Sequence, residues 1–560
     1  MKYVADFLTT GDLGAARVWL YCLRRIGEEE KFYGGSLPEF FEFLETCEDN
    51  PSIYVYELKD IGEFIISYLF MSGYKYHEGD GALGGNEFTT LIGSGGGFYK
   101  IEVCFYRDER DRPKRAVFYD IKKIIPLPFR ELCKTFCGWE YNKSIDSTRR
   151  SILDEVTTEE KGYIGERVDI LAEAMGTVLD RGIRGVTIGA SALKDYKETI
   201  GERSFRRLFP PPGEYDTSLR EGYKGGYVYL NPNKKGVEIG EGIILDFNSM
   251  YPYILYSKPI PYGEGIYYEG EYQEDKVYNI YVQFLICSFR LKPGHLPTYQ
   301  VRGVLDFEPM KFLEDSAGEA IPICMTSPDL KLFFEHYDVK DVEYAFGWKF
   351  RSRVGMFKEY IDFWANEKAE AAERGDEGWR FISKMMMNQL GGKFATDPTV
   401  YNRIPYMREE DNTVAYYVSA PRERPCIYVP VAEFMTAYAR EEVVSVAQAN
   451  FDRYIYSDTD SLHLEGTEIP EGLKISPVRM GCWKIEKRFR RARYLKQKVY
   501  ITEDGSGTSE AVCAGMPETC KMYVTFENFL PGHKYPGREI KRRVKGGYII
   551  EQGQYTLSDK

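Results

Sequence analysis

Three carboxylates stand where two short apolar runs break. Ile243-Ile244-Leu245 delivers Asp246 just where the chain turns, and Tyr454-Ile455-Tyr456-Ser457 runs into Asp458-Thr459-Asp460-Ser461, two acids two residues apart at a hairpin tip. Acids brought together raise one another's pKa. Divalent cations remove that penalty, and two ions about 3.5–4 Å apart are the known device for phosphoryl transfer. Eleven cysteines without a C-x-x-C pair and five dispersed histidines provide no thiolate or imidazole site. Metal chemistry must therefore run on oxygen ligands, with Mg²⁺, Mn²⁺ or Ca²⁺. An isolated Asp-Thr-Asp reads as a solvated turn; its coupling to a second strand-end acid is what points to chemistry.

The elements needed to position these groups are legible. Residues 242–247 read as a buried strand, 249–256 as a helical turn after it, and 453–456 and 462–464 as short strands flanking the paired acids. Residues 358–373 and 378–390 read as an αα-hairpin around Arg374-Gly375-Asp376-Glu377. Lys384 and Asn388 are i and i+4 and share a face of the second helix. Lys368 lies on the first. In one straight helix, Lys368 and Lys384 would be separated by about 160° of rotation; the hairpin lets both ammonium groups converge on phosphates. Glu367 and Glu370 make a solvated face the alternative for Lys368. The glycine-rich stretch 81–97 reads as a flexible loop. Residues 206–214, containing Leu208-Phe209-Pro210-Pro211-Pro212-Gly213, read as unable to be helix or sheet interior, with a domain boundary just before them. The mixture is α+β and multidomain.

A chain of 560 residues, at roughly 150 per domain, should form three to five folding units. Its 43% hydrophobic content excludes global disorder. No apolar run approaches the roughly 18 residues of a membrane span, and Asp6 interrupts any signal-like start, so the expectation is a soluble, non-secreted protein without a membrane partner. The net charge of −12 argues weakly against nucleic acid, but charge is unevenly placed: residues 484–500 hold eight Lys or Arg against one Glu, and residues 534–545 six against one. Screening limits an acidic body's field to about 8–10 Å, so a basic stripe can still track a phosphate backbone. Phe489, Tyr494 and Tyr500 interleave the first run, suiting backbone contact without base readout.

Asp246-x-x-Ser-Met-Tyr-Pro, Lys384-x-x-x-Asn388 and Tyr456-x-Asp-Thr-Asp-Ser, in that order, resemble motifs A, B and C of family B DNA polymerases. Tyr223-Lys224-Gly225-Gly226 resembles the Tyr-x-Gly-Gly motif between exonuclease and polymerase domains, and Lys498-Val499-Tyr500 the Lys-x-Tyr motif that holds the primer. With Cys513-Ala514-Gly515-Met516 and Thr525-Phe526-Glu527-Asn528-Phe529, the likeness spans nearly the whole chain and is to protein-primed phage polymerases, above all the strand-displacing replicative enzymes of small Bacillus phages. The resemblance implies a right-hand polymerase with an N-terminal RNase H-like 3′–5′ exonuclease-type domain (1–187), palm (188–257 and 430–527), a first insertion (258–353) facing a terminal protein, fingers (354–395), a second insertion (396–429) for strand displacement and processivity, and a thumb (528–560). It implies Asp246, Asp458 and Asp460 as catalytic acids and, with the Phe247 carbonyl, ligands of two Mg²⁺ ions that Mn²⁺ can replace. Tyr251 would lie under the sugar, against a 2′-hydroxyl; Phe247, Lys368, Lys384 and Asn388 would complete the nucleotide site. Tyr223, Gly225, Gly226, Lys498 and Tyr500 would contact DNA. The implied partners of a monomer are primer–template DNA, deoxynucleotides and a phage terminal protein as primer, in an infected bacterium's cytoplasm.

Two departures qualify this. The exonuclease motifs Asp-Phe-Glu-Thr-Thr, His-Asn-Leu-Lys-Phe-Asp-Gly and Tyr-x-x-x-Asp read here Asp6-Phe7-Leu8-Thr9-Thr10, Tyr56-Glu57-Leu58-Lys59-Asp60-Ile61-Gly62 and Tyr163-Ile164-Gly165-Glu166-Arg167, so only Asp6 survives and Arg167 brings a cation where a metal should bind. Motif B reads Asn388-Gln389-Leu390-Gly391-Gly392 where relatives have Asn-Ser-x-Tyr-Gly. The tyrosine that would pack on the nascent base pair is missing, and Gly391 weakens the helix end by up to about 1 kcal/mol. Three readings stay open: a processive polymerase without proofreading, a polymerase-fold factor that binds DNA or terminal protein with feeble synthesis, and an RNA-templated or RNA-synthesising enzyme, which Tyr251 disfavours.

Overall fold

The computed structural model describes residues 1–11, 15–145, 154–301 and 311–559. Lys2–Gly11 (β1) lies inside an eight-stranded sheet, antiparallel to Ala16–Arg25 and parallel to Ser52–Val55. Val4 and Ala5 are both fully buried, because Leu58–Met71 (α1) belongs to the core on one face and Thr158–Asp180 (α2) to the core on the other. A capping box between Thr157 and Glu160 starts α2. The glycine-rich stretch is not one loop: Glu87–Ile92 is a strand within it, burying Phe88, Thr90 and Ile92 in turn. That period-2 signal outweighs the flanking glycines. Nor is the stretch 206–214 free of helix: a helix, Glu202–Leu208, runs up to the first proline.

The second centre is a five-stranded antiparallel sheet built from distant segments. Gly242–Phe247 (β2) is followed by Met250–Ser257 (α3). Residues 260–353 then form a four-stranded antiparallel sheet with a helix, Ser327–His336, apart from 302–310, which lie outside the described residues. Lys358–Glu373 (α4) and Glu377–Phe394 (α5) make the expected hairpin, with Asp376 capping α5 through the Trp379 N–H. Pro430–Ala449 (α6) is buried along most of its length. Tyr454–Asp458 (β3), Ser461–Glu465 (β4) and Trp483–Phe489 (β5) complete the sheet, in the order β5-β2-β4-β3 and then Val228–Leu230. Lys534–Val544 (β6) and Gly547–Thr556 (β7) form the C-terminal hairpin.

That hairpin folds back onto the N-terminal domain. Tyr548 meets Phe64 edge to face at 5.2 Å, and Lys541 and Arg543 pair with Asp60 at 2.5 Å and Glu63 at 3.0 Å. Val414, from the small hairpin Arg403–Met407 and Val414–Val418, joins Val544 and Tyr548 in the core of β1 and α1. Three segments far apart in sequence thus share one apolar cluster.

Glu433 on α6 is fully buried, and neither carboxyl oxygen has a hydrogen-bond partner among the described residues. Burial, reinforced by Asp216 and Asp329 against Arg220 and Lys224, raises its pKa well above the ordinary carboxylate range. It is therefore protonated in the fold and ionised in the unfolded chain once pH exceeds the ordinary value. The unfolded state then binds fewer protons, so this group's contribution to stability falls as pH rises. Glu433→Gln should remove that slope, gaining on the parent by about 1.4 kcal/mol per pH unit while the buried acid stays protonated. Thermal melts between about pH 5 and 8 would show parallel curves if Glu433 were not so held.

Candidate active site

Asp246 sits one residue from the end of β2, directly opposite Ser461 on β4 and Lys484 on β5. The next N–H, of Phe247, donates to the Asp460 carbonyl at 2.8 Å, joining the hairpin tip to the strand end. At that tip Thr459 has φ +63°, a left-handed conformation that a β-branched residue adopts only under strong surrounding constraint. The constraint is visible. Its N–H donates to the Tyr227 carbonyl at 2.8 Å, and a Cβ on Gly226 would lie 2.7 Å from Thr459 Oγ1. Gly226 thus permits the Tyr223–Gly226 loop to press against the acidic tip. Arg440 of α6, 2% exposed, holds the same loop by donating to the Lys224 and Gly225 carbonyls at 2.8 and 2.6 Å. It also grips Asp329 at 2.8 and 2.6 Å. Sequence reasoning missed Arg440, because Arg440-Glu441-Glu442 reads as a solvated turn of helix.

The three acids are not equivalent. Asp246 Oδ2 pairs with Lys484 Nζ at 2.7 Å. Both oxygens of Asp458 accept from Lys498 Nζ at 2.6 Å, and one also accepts from the Tyr456 hydroxyl at 3.0 Å. Asp460 pairs with no cation among the described residues; burial first, then Asp246, Asp458 and Glu486, push its pKa up to about 6. No three His, Cys, Asp or Glu side chains converge on one point among the described residues. The carboxylates that could hold an ion here are Asp246 and Asp460, while both oxygens of Asp458 accept from Lys498. Two carboxylates, completed by water and phosphate oxygens, are what Mg²⁺ ordinarily takes. The mutual repulsion felt at Asp460 is the strain such an ion relieves, so the residues fit it.

The finger hairpin brings its cations together as expected. Lys368 is partly buried; burial, then Lys384, Arg380 and Lys484, lower its pKa. The acids that suggested a solvated face are engaged elsewhere, Glu367 with Trp379 Nε1 at 2.7 Å and Glu370 with Arg374 at 3.3 Å. Asn388 Oδ1 is buried without a partner among the described residues. Tyr251 lies in the first turn of α3, its pKa raised by burial and then by Tyr223, Asp460 and Asp458 nearby.

The basic run 484–500 differs from expectation. Phe489 and Tyr494 are core residues, 2% and 0% exposed, and Tyr500 stacks on Tyr494 at 5.0 Å, so the first two rings are not a stacking platform. Most of the charge is neutralised by acids from other strands: Lys487 by Glu510 at 2.9 Å, Arg491 by Glu503 at 2.6 Å and Arg493 by Glu238 at 3.1 Å, besides Lys484 on Asp246 and Lys498 on Asp458. In the run 534–545, Arg542 likewise pairs with Glu551 at 2.6 Å.

At the N-terminal remnant, Arg167 Nε lies 2.5 Å from Asp6 Oδ2 and its guanidinium stacks 4.0 Å from the Phe129 ring. Burial lowers the Arg167 pKa, but the charge and hydrogen bond of Asp6 together with Tyr163 and Tyr141 outweigh it and the net shift is upward. The nearby acids are tied elsewhere: Glu57 to Lys122, Asp60 to Lys541, Glu166 to Lys143, and Asp169 to Arg24 and Lys31.

Arg440→Ala leaves Asp329, 13% exposed, with the Thr326 hydroxyl but without its cation, at a cost below the roughly 3–5 kcal/mol of a fully buried pair. It should lower the melting temperature and open the Tyr223–Gly226 loop to limited proteolysis; a loop as resistant as the parent's would remove Arg440 as its clamp.

The sequence profile of the organellar and viral type B DNA polymerases matches residues 98–476. The DNA polymerase of Bacillus phage Nf is 36% identical, covering 99% of this chain and 99% of that protein. That of Bacillus phage phi29 is 35% identical over 99% and 98%, and that of Streptococcus phage Cp-1 28% over 100% and 98%. The structure of phi29 DNA polymerase complexed with primer-template DNA matches with a TM-score of 0.92 at 34% identity, over 100% of both chains. Profile, identity and fold agree: the chain belongs to the type B DNA polymerases of organelles and viruses, with an exonuclease-type domain joined to palm, fingers and thumb.

Proposed function

We propose that this chain adds deoxynucleotides to the 3′-hydroxyl of a primer on a DNA template at the palm site, without a working 3′–5′ exonuclease. The observation that carries this is Asp460, at the hairpin tip, held to the end of β2 beside Asp246 by the Phe247 N–H, with Lys368 near enough to Lys384 and Lys484 to feel their charge. Asp246 and Asp460, with the Phe247 carbonyl, would hold Mg²⁺ (or Mn²⁺), whose charge would favour the ionised primer hydroxyl and offset that of the triphosphate and departing pyrophosphate. Lys498 fixes Asp458 beside the pair, and Tyr500 with it faces the primer. Lys368 and Lys384 bind phosphates, Asn388 offers its unpartnered oxygen to the nucleotide, and Tyr251 supports the sugar. Tyr223, Gly225 and Gly226 carry DNA past the acidic tip. The apolar cluster joining thumb, second insertion and N-terminal domain supports processive, strand-displacing synthesis, and the first insertion a terminal protein as alternative primer. The domain bounds proposed are those set out from the sequence, with the chain acting as a monomer in the infected host's cytoplasm.

Asp246→Asn or Asp460→Asn should each bring nucleotide addition below about 1% of the parent while primer–template binding is retained, since several kcal/mol of transition-state stabilisation go with the ligand pair. Primer extension beside a gel-shift measurement reads both, and robust extension by either variant would contradict shared ligation.

A mismatched 3′ end should survive incubation with enzyme and Mg²⁺ in the absence of nucleotides. The Arg167 guanidinium occupies the carboxylate that would bind an ion, an opposition worth several kcal/mol at short range. Metal-dependent shortening that vanishes in Asp6→Ala would show a rebuilt exonuclease site.

A further inference from the structure

Helices α3, α5 and α6 meet behind the nucleotide side of the site. Tyr251 and Leu255 are i and i+4 on α3, and Asn388 and Gly391 are i and i+3 on α5, so each pair occupies neighbouring turns of one face. Leu255 and Met435 are 1% and 2% exposed. A Cβ on Gly391 would stand 2.2 Å from Met435 Sδ, 2.8 Å from its Cε and 3.5 Å from Leu255 Cδ1. Gly391 lies within α5 and is absent from the positive-φ residues, so backbone freedom does not explain the glycine. Volume does: the Met435 thioether occupies the space that a side chain at 391 would fill. The weakened helix end expected from Gly391 is thus a closely packed one.

Leu255, Gly391 and Met435 form a layer one turn beyond Tyr251 and Asn388. Because the Asn388 oxygen has no partner within the described chain, no hydrogen bond at that atom sets its place; the helix beneath it does.

We propose that Met435 is a positioning residue for nucleotide selection. Seated against Gly391, it sets how closely α5 approaches α3 and α6, and with that the gap between Asn388 and Tyr251 into which a nucleotide fits. The inference rests on the reading that Tyr251 and Asn388 border the incoming nucleotide. An unbranched thioether with three rotatable bonds suits such an irregular gap. Positions 391 and 435 should therefore act as one unit, a methyl gained at the first being accommodated by atoms removed at the second.

Single-turnover addition of one deoxynucleotide, and of its ribonucleotide, to a primed template tests this in the full-length enzyme. Gly391→Ala should raise the nucleotide concentration for half-maximal rate by about tenfold, with saturating rate and primer–template affinity nearly unchanged. Adding Met435→Ala should recover most of that loss. Additive effects of the two substitutions, or a half-saturation that Gly391→Ala leaves unmoved, would overturn the proposal. Met435→Leu, close in volume, guards against misfolding: a parent-like melting temperature with a shifted deoxy-to-ribo ratio supports the role, and an unshifted ratio counts against it. Tyr251→Val separates the two layers of inference. If it leaves the ratio unchanged, the placement of Tyr251 under the sugar fails; if it alters the ratio while the 391 and 435 variants do not, only the role of Met435 fails.

Discussion

Negative charge crowded at the ends of adjacent strands is the constraint around which this polymerase is organised. Asp246 and Asp460 are held together by main-chain register, through the pairing of β2 with β4 and the Phe247 to Asp460 hydrogen bond, so neither can swing away from the other. The surroundings answer with cations: Lys484 on Asp246, Lys498 on Asp458, and the half-buried Lys368 with Lys384 on the fingers. The strained Thr459 backbone and the Gly226 contact keep the tip from relaxing. A site assembled this way is already shaped for cations and phosphates before either arrives, which is how preorganised electrostatics lowers a barrier.

Local order was written plainly in the chain. The run Gly242–Phe247, the finger hairpin and the hairpin around Asp458 and Asp460 come out at or near the expected residues, because apolar periodicity and turn residues are short-range signals. Charge was not legible in the same way. Counting Lys and Arg between 484 and 500 overlooks Glu503 and Glu238, which stand across the sheet, and Glu510, which reaches over from another sheet. Pairing across strands depends on register, which a linear count does not contain. The same limit hid Arg440, whose partners Asp329 and the Lys224 and Gly225 carbonyls lie over a hundred residues away.

Gly391 shows the opposite kind of ambiguity. In sequence a glycine within a helix is a defect, about 1 kcal/mol worse than alanine. In the fold it is the counterpart of Met435. Whether a small residue is a weakness or half of a fitted pair is decided by the facing helix, and that information sits more than forty residues downstream.

The return of the C-terminal hairpin onto the N-terminal domain has a consequence for how this protein can change. Asp60 and Glu63, on the helix that starts within the altered second exonuclease motif, serve as anchors for Lys541 and Arg543. With its own chemistry absent, as proposed, the domain still serves as a foundation for the C-terminal hairpin. Natural variation should be restricted along the wall that faces the C-terminal hairpin, where Ile61 and Phe64 are buried beside the anchors. Deleting the domain as dead weight would also unseat the last strand pair of the chain.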